Sequence, residues 1–303
     1  MGNQVKKSFG AVMSWRTVVI ESQSKLDYKM GYMVIRSDIT QKILLDEIYI
    51  LIIANPAVAI TGILLAALTE KKIKVIFCDT KRNPISELVP HHGSHDSASK
   101  IRTQMVWGDD IKSLVWQEII SEKIRKQAEF LYELDMDKQA DMLSGYIGQI
   151  ELADASNREG HAAKVYFNAL FGMDFTRSAD IPVNAALNYG YSLILSAFNR
   201  EISANGYLTQ LGIFHSNMFN HFNLSSDLME PFRVLVDRSV YDMNPKEFDK
   251  KEKYTLLQMF DMKVVIDGQS QFLSNAIKIY TKSVFDAIND NDLANIKFYK
   301  MDK

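Results

Sequence analysis

Apolar positions change their rhythm about a third of the way along the chain. From Thr17 to Cys78 they come in short β-branched runs: Thr17-Val18-Val19-Ile20, Lys42-Ile43-Leu44-Leu45, Ile48 to Ile53 and Ile73 to Cys78. Such runs predict strands. Asp27 to Ile35 reads as a hairpin turning near Gly31. Ile48 to Leu68 is 21 residues without a charge, long enough to span a bilayer. Asn55-Pro56 interrupts it as a cap and first helical residue would, and Ile60, Ile63, Leu64, Ala67 and Leu68 follow at helical spacing. A buried strand followed by a packed helix is therefore expected, with no membrane span. Asn83-Pro84 to Gly93 reads as a connector.

Beyond Ser97 the period becomes helical, as Ile111, Leu114, Val115, Glu118, Ile119 and Glu122 sort into two faces. Further helices are expected near 137–152, 157–171, 182–204, 227–242 and 271–289. A short hairpin is expected at Met262 to Gln269, where Asp267-Gly268 is a turn pair. The pattern gives an α+β protein. Residues 13–90 form a small β-rich domain, 91–100 a linker and 101–303 a larger helical domain; residues 1–12 read as a disordered extension or expression scar.

The chemistry centres on Ser156 to Phe167. Ser156 is placed to cap a helix, and Glu159 lies three residues on. Two readings are open there. Glu159 closes a capping box onto Ser156, or it is a metal-binding carboxylate with Gly160 leaving room for substrate. Partners for the second reading come later in the chain. His215 lies in the polar stretch Gly212 to Asn217, and Asp227 and Glu230, three apart, share a face if their segment is helical.

In order along the chain, Asn157-Arg158-Glu159-Gly160-His161-Ala162-Ala163, Pro182 to Tyr191, Gly212 to His215 and Asp227-Leu228-Met229-Glu230-Pro231-Phe232-Arg233 resemble one family. It is the CRISPR-associated integrase that inserts new spacers into the CRISPR array. Trp15 to Val19 and Gly93 to Ser97 further resemble its type II-A branch, and the resemblance runs from about Met13 to the C-terminus. It implies that Glu159, His215 and Glu230 are catalytic and hold a metal ion, with Asp227 as an auxiliary carboxylate. An oxygen and nitrogen set of this kind suits manganese or magnesium. The implied reaction is attack by a DNA 3′-hydroxyl on a phosphodiester at the border of a CRISPR repeat. The implied partners are double-stranded DNA, a second copy of the chain, and a small ferredoxin-like protein in a four-plus-two complex. A DNA-binding scaffold without chemistry and a stand-alone nuclease for branched DNA are the alternatives.

Composition adds limits. At 303 residues with 47% apolar and 24% charged residues, the chain has the profile of a soluble protein. Cys78 is the single cysteine, so no internal disulfide forms, and a cytoplasmic setting fits. It is expected in a buried strand. A net charge of −2 does not advertise nucleic-acid binding, so cations must gather on one face. Lys71 to Lys74, Lys81-Arg82, Lys100 to Arg102, Lys123 to Lys126 and Lys250 to Lys253 are candidates, each also readable as solvated surface. His91-His92-Gly93-Ser94-His95-Asp96 reads as a hinge in preference to a zinc site. Val18, Ile20, Ile50 and Ile52 exceed what a small sheet can cover, which points to a homodimer through the N-terminal domain.

Overall fold

A computed structural model describes residues 16–80, 82–89, 94–154 and 156–302. Met13 to Trp15, the 1–12 extension, Lys81 and His91 to Gly93 lie outside the described residues.

The first third builds two four-stranded sheets. Strands β1 (Arg16–Ile20), β5 (Ile48–Ile53) and β7 (Lys74–Cys78) are parallel, and β8 (Pro84–Leu88) runs antiparallel at the edge beside β7. The second sheet has the order β4 (Thr40–Leu44), β3 (Tyr32–Arg36), β2 (Lys25–Lys29) and β6 (Ala59–Ile60). The β2–β3 hairpin turns at Met30 and Gly31, both at positive φ (50° and 84°), as a tight two-residue turn requires.

Helix α1 (Gly62–Glu70) carries the chain from β5 to β7. Its start corrects the sequence reading. Thr61, not Asn55, precedes the helix, because Ala59-Ile60 first pairs with β2. The expected connector also contains β8, whose proline at the first position and polar side chains suit an edge strand.

The rest is mainly helical: α2 (Ser97–Met105), α3 (Asp109–Glu133), α4 (Asp137–Ile147), α5 (Arg158–Phe171), α6 (Pro182–Ala204), α7 (Asn223–Leu228), α8 (Arg233–Met243), α9 (Lys250–Leu257) and α10 (Leu273–Asp290). Helix α2 begins inside the expected linker, so the connection is shorter than 91–100. The helix expected over 227–242 is broken, because Pro231 lacks the N–H that a continuous helix needs and a 3-10 turn, Glu230–Phe232, intervenes. A third sheet, β10 (Gln269–Phe272), β9 (Lys263–Ile266) and β11 (Lys300–Met301), contains the expected hairpin. Its turn residues Asp267 and Gly268 both have positive φ. No described helix is long and apolar enough to cross a membrane.

The first sheet separates two cores. Ile48, Leu51 and Ile53 of β5 pack with Val18, Ile20, Leu64 and Leu68 on one side. Tyr49, Ile50 and Ile52 join Ile76, Cys78 and the helical half on the other. A register shift opposite Ile48 and Ile50 puts Tyr49 on the helical side. Its hydroxyl proton is shared between Glu201 Oε1 at 3.0 Å and the Ser274 carbonyl at 3.2 Å. Val18 and Ile20 are 8% and 5% exposed, and Ile50 and Ile52 1% each. The chain covers these residues itself, so they give no ground for a dimer.

Candidate active site

Helix α5 starts without help from Ser156, whose hydroxyl donates to the Gln149 carbonyl at 3.3 Å. Asn157 is left-handed (φ 51°, ψ 44°) and caps nothing with its side chain. The cap is Asp154, whose carboxylate accepts the N–H of Arg158 at 2.8 Å and of Glu159 at 3.0 Å. An anion at the positive end of the helix stabilises it. Of the two readings open for Glu159, the capping box onto Ser156 therefore fails, because Asp154 already fills that role. The space beside Gly160 is also taken: a Cβ there would lie 2.6 Å from Asn157 Oδ1.

Freed from capping, Glu159 accepts a hydrogen bond from Lys123 Nζ at 2.5 Å. The same ammonium donates to Glu230 Oε2 at 2.5 Å. Helix α3 thus delivers one cation between carboxylates from α5 and from the turn before α8. Glu230 is 3% exposed and also accepts from Arg233 Nε at 2.9 Å. Burial pushes the Glu230 carboxyl up, but Arg233 and Lys123 outweigh it and hold the group below the usual carboxylate range. Lys123 is likewise pushed down by burial and carried above its ordinary value by the two glutamates.

Lys123 and Lys126 had the sequence signature of a solvated surface, yet they are 7% and 3% exposed. Lys126 pairs with Glu122 at 3.3 Å and with Glu129 at 2.7 Å. Both lysines are inward because α3 is covered on several sides. A signal existed in the sequence: Lys123 and Lys126 stand four and seven residues after Ile119, on the apolar stripe of their own helix. Lys74, in another candidate cluster, is also buried and pairs with Glu87. Burial lowers its pKa.

Asp227, in the last turn of α7, has no exposed surface and organises the loop before it. It accepts the N–H groups of Ile213 at 2.6 Å, Phe214 at 3.0 Å and His215 at 3.1 Å. Its Oδ1 also meets His215 Nδ1 at 2.5 Å. Such close approach requires glycine at 212, where a Cβ would lie 2.7 Å from Asp227 Oδ2 and 2.3 Å from the His215 carbonyl oxygen. The Asp227 hydrogen bond raises the His215 pKa; burial opposes this, and Glu230 and Glu159 add to it. With Nδ1 engaged, Nε2 is the nitrogen left for a ligand. Trp116 packs edge-on to the imidazole at 5.6 Å and stacks on Phe214 at 4.5 Å.

The structure therefore brings Glu159 and Glu230 onto one cation and sets His215 on Asp227, within electrostatic range of both glutamates. No three His, Cys, Asp or Glu side chains form a metal-holding group among the described residues. Two carboxylates converging on one positive charge nonetheless provide a donor arrangement that fits a small divalent cation.

Residues 17–268 match the family model described as CRISPR associated protein Cas1. The CRISPR-associated endonuclease Cas1 of Neisseria meningitidis serogroup C (strain 8013) is 31% identical over 291 residues, covering 94% of this chain and 96% of that protein. Two solved structures share the fold. A Cas6-RT-Cas1–Cas2 complex aligns with a TM-score of 0.74 at 18% identity, over 99% of this chain and 38% of that one. A casposase bound to integration product aligns with a TM-score of 0.71 at 16% identity, over 92% of each chain. The site sits on the elements that the family model spans, and the chain belongs to the Cas1 family.

Proposed function

We propose that the chain is a metal-dependent DNA integrase and endonuclease acting in CRISPR spacer acquisition. The observation that carries the reading is the convergence of Glu159 and Glu230, 2.5 Å from one ammonium, beside a histidine fixed by a buried aspartate. Glu159, Glu230 and His215 Nε2 would hold manganese or magnesium in place of the Lys123 ammonium. Bound there, the ion would polarise the phosphate and offset charge that develops on its oxygens.

The chain's own residues prepare that position. Asp227 fixes the His215 ring and the backbone that carries it, and Arg233 keeps Glu230 ionised. Lys123 offsets the charge of Glu159 and, with Arg233, that of Glu230; with an ion bound, its ammonium would serve as a donor to a phosphate oxygen. A 3′-hydroxyl of incoming DNA would be the nucleophile in strand transfer and water in hydrolysis.

A neighbour in fold in a complex named for Cas2, and a casposase bound to integration product, support DNA and a Cas2 protein as partners; that the DNA is double-stranded and the protein small and ferredoxin-like is part of the proposal. A homodimer through the sheet domain and a four-plus-two assembly complete the proposal. The test is incubation with labelled DNA ends, a repeat-containing plasmid, manganese and the small partner. Strand-transfer products that vanish with Glu159→Ala support the reading; cleavage without joining reduces it to a nuclease, and neither product leaves a scaffold.

A further inference from the structure

Between Glu201 and Asp227 the chain has 25 residues without an aspartate, glutamate, lysine or arginine, and His215 and His221 are its titratable groups apart from Tyr207. At the tip of this stretch, Met218 is 84% and Phe219 82% exposed. Two large apolar side chains side by side in water are unfavourable unless something covers them in use.

The tip is firmly held. The Asn220 N–H donates to the Asn217 carbonyl at 3.1 Å, which closes a turn with Met218 and Phe219 at its corners. Asn217 Oδ1 accepts the Phe219 N–H at 2.9 Å, and Asn223 Nδ2 donates to the Asn217 carbonyl at 3.0 Å. Thr209 Oγ1 donates to the His221 carbonyl at 2.8 Å. Asn223 is 4% exposed and anchors the turn to α7, the helix whose Asp227 also holds His215. The apolar tip and the imidazole are thus mounted on one support, three and four residues apart.

We propose that Met218 and Phe219 form a wedge that enters a base step of duplex DNA beside the phosphodiester under attack. The proposal rests on the DNA-acting reading above. Apolar side chains inserted at a step unstack the bases and bend the duplex, and an aromatic ring can stack on any base. The stretch does not repel a polyanion, because no carboxylate occurs in it, and Ser216 and Asn217 offer uncharged donors. A wedge fixed to the support of His215 also sets the register between the opened step and the reacting phosphate. Met218 and Phe219 are therefore positioning residues.

The probe is a synthetic strand-transfer joint carrying 2-aminopurine at the base step flanking the joined phosphate, mixed with the full chain. Wild type should raise the fluorescence as the step unstacks. Met218→Ser with Phe219→Ser should abolish that rise and weaken binding about 5- to 150-fold, the loss of one stacked base. The melting temperature should not fall, since both side chains are exposed. Equal fluorescence and equal affinity in the two proteins would overturn the wedge. So would an unchanged DNA signal with a smaller particle in light scattering, which would make the tip an interface with a second copy. If wild type opens the step but joins no DNA under any condition, the proposed reaction fails and the wedge stands.

Discussion

Lys123→Met gives the most direct reading of the site. It removes the one ammonium shared by Glu159 and Glu230 and leaves a side chain of similar length. Removing one partner from a buried ion pair typically costs about 3–5 kcal/mol, because the remaining charge is stranded. Here the loss falls at the lower end. Glu230 keeps Arg233 at 2.9 Å, and the Glu159 side chain, 29% exposed, can take up water. Roughly 3 kcal/mol is expected, or about 6 °C in melting temperature at about 2 °C per kcal/mol. The same change clears the position for a metal ion. Manganese at a hundredfold its Kd stabilises by about 2.7 kcal/mol, so it should restore most of the loss in the variant. In wild type, manganese must displace Lys123 and should raise the melting temperature by less. Thermal melts of both proteins with and without manganese measure all four quantities. A variant that melts with wild type, and gains no more from manganese, would refute the shared-cation account.

Asp154→Ala should lower stability by roughly 0.5–2 kcal/mol in denaturant melts, while Ser156→Ala should change it little, since Asp154 alone caps α5. Asp227→Asn should speed amide exchange at residues 213–215, because a neutral amide oxygen holds three N–H groups more weakly than a carboxylate. Burial raises Asp237 to about 6, so the folded chain keeps a proton that the unfolded chain, near 3.9, has released. This group therefore adds stability as pH falls from about 6 towards 4, up to roughly 2–3 kcal/mol. Asp237→Asn should lack that slope, so the stability difference between wild type and mutant should grow as pH falls across this range in denaturant melts. Gly190→Ala should destabilise by about 1–3 kcal/mol, since its Cβ would lie 2.3 Å from Val236 Cγ1, and an unchanged denaturation midpoint would contradict that packing.

The strands and long helices were legible because their apolar residues repeat at the period of the element they build, as in Ile48 to Ile53 and along α3. The turn at Asp267-Gly268 was legible because both residues accept positive φ. What the sequence concealed depended on residues distant along the chain. The apolar stripe of α3 hinted that Lys123 faces inward, but no local pattern names its partners, which lie 36 and 107 residues away. Asp154 was no more legible, since it displaced Ser156 from the cap through a left-handed Asn157 that no spacing rule demands. Glu159 and Glu230 were legible as a pair through their motifs. The cation between them was not, although the repulsion of two converging carboxylates, one of them buried, favoured one. Val18, Ile20, Ile50 and Ile52 were read as needing a second copy, but the same chain covers them: the helical half takes Ile50 and Ile52, and Leu64 and Leu68 of α1 pack with Val18 and Ile20.

That arrangement of β5 bears on how the protein comes apart. The strand contributes Tyr49, Ile50 and Ile52 to the helical core, and the Tyr49 hydroxyl serves Glu201 and Ser274 there. A fragment cut before Ser97 would strip the helices of those side chains and leave the Glu201 carboxylate without its hydroxyl. Composition changes near residue 97, but cooperativity crosses that point. Severed halves should therefore be poorly folded separately and complement each other when mixed, whereas the intact chain should melt in one transition.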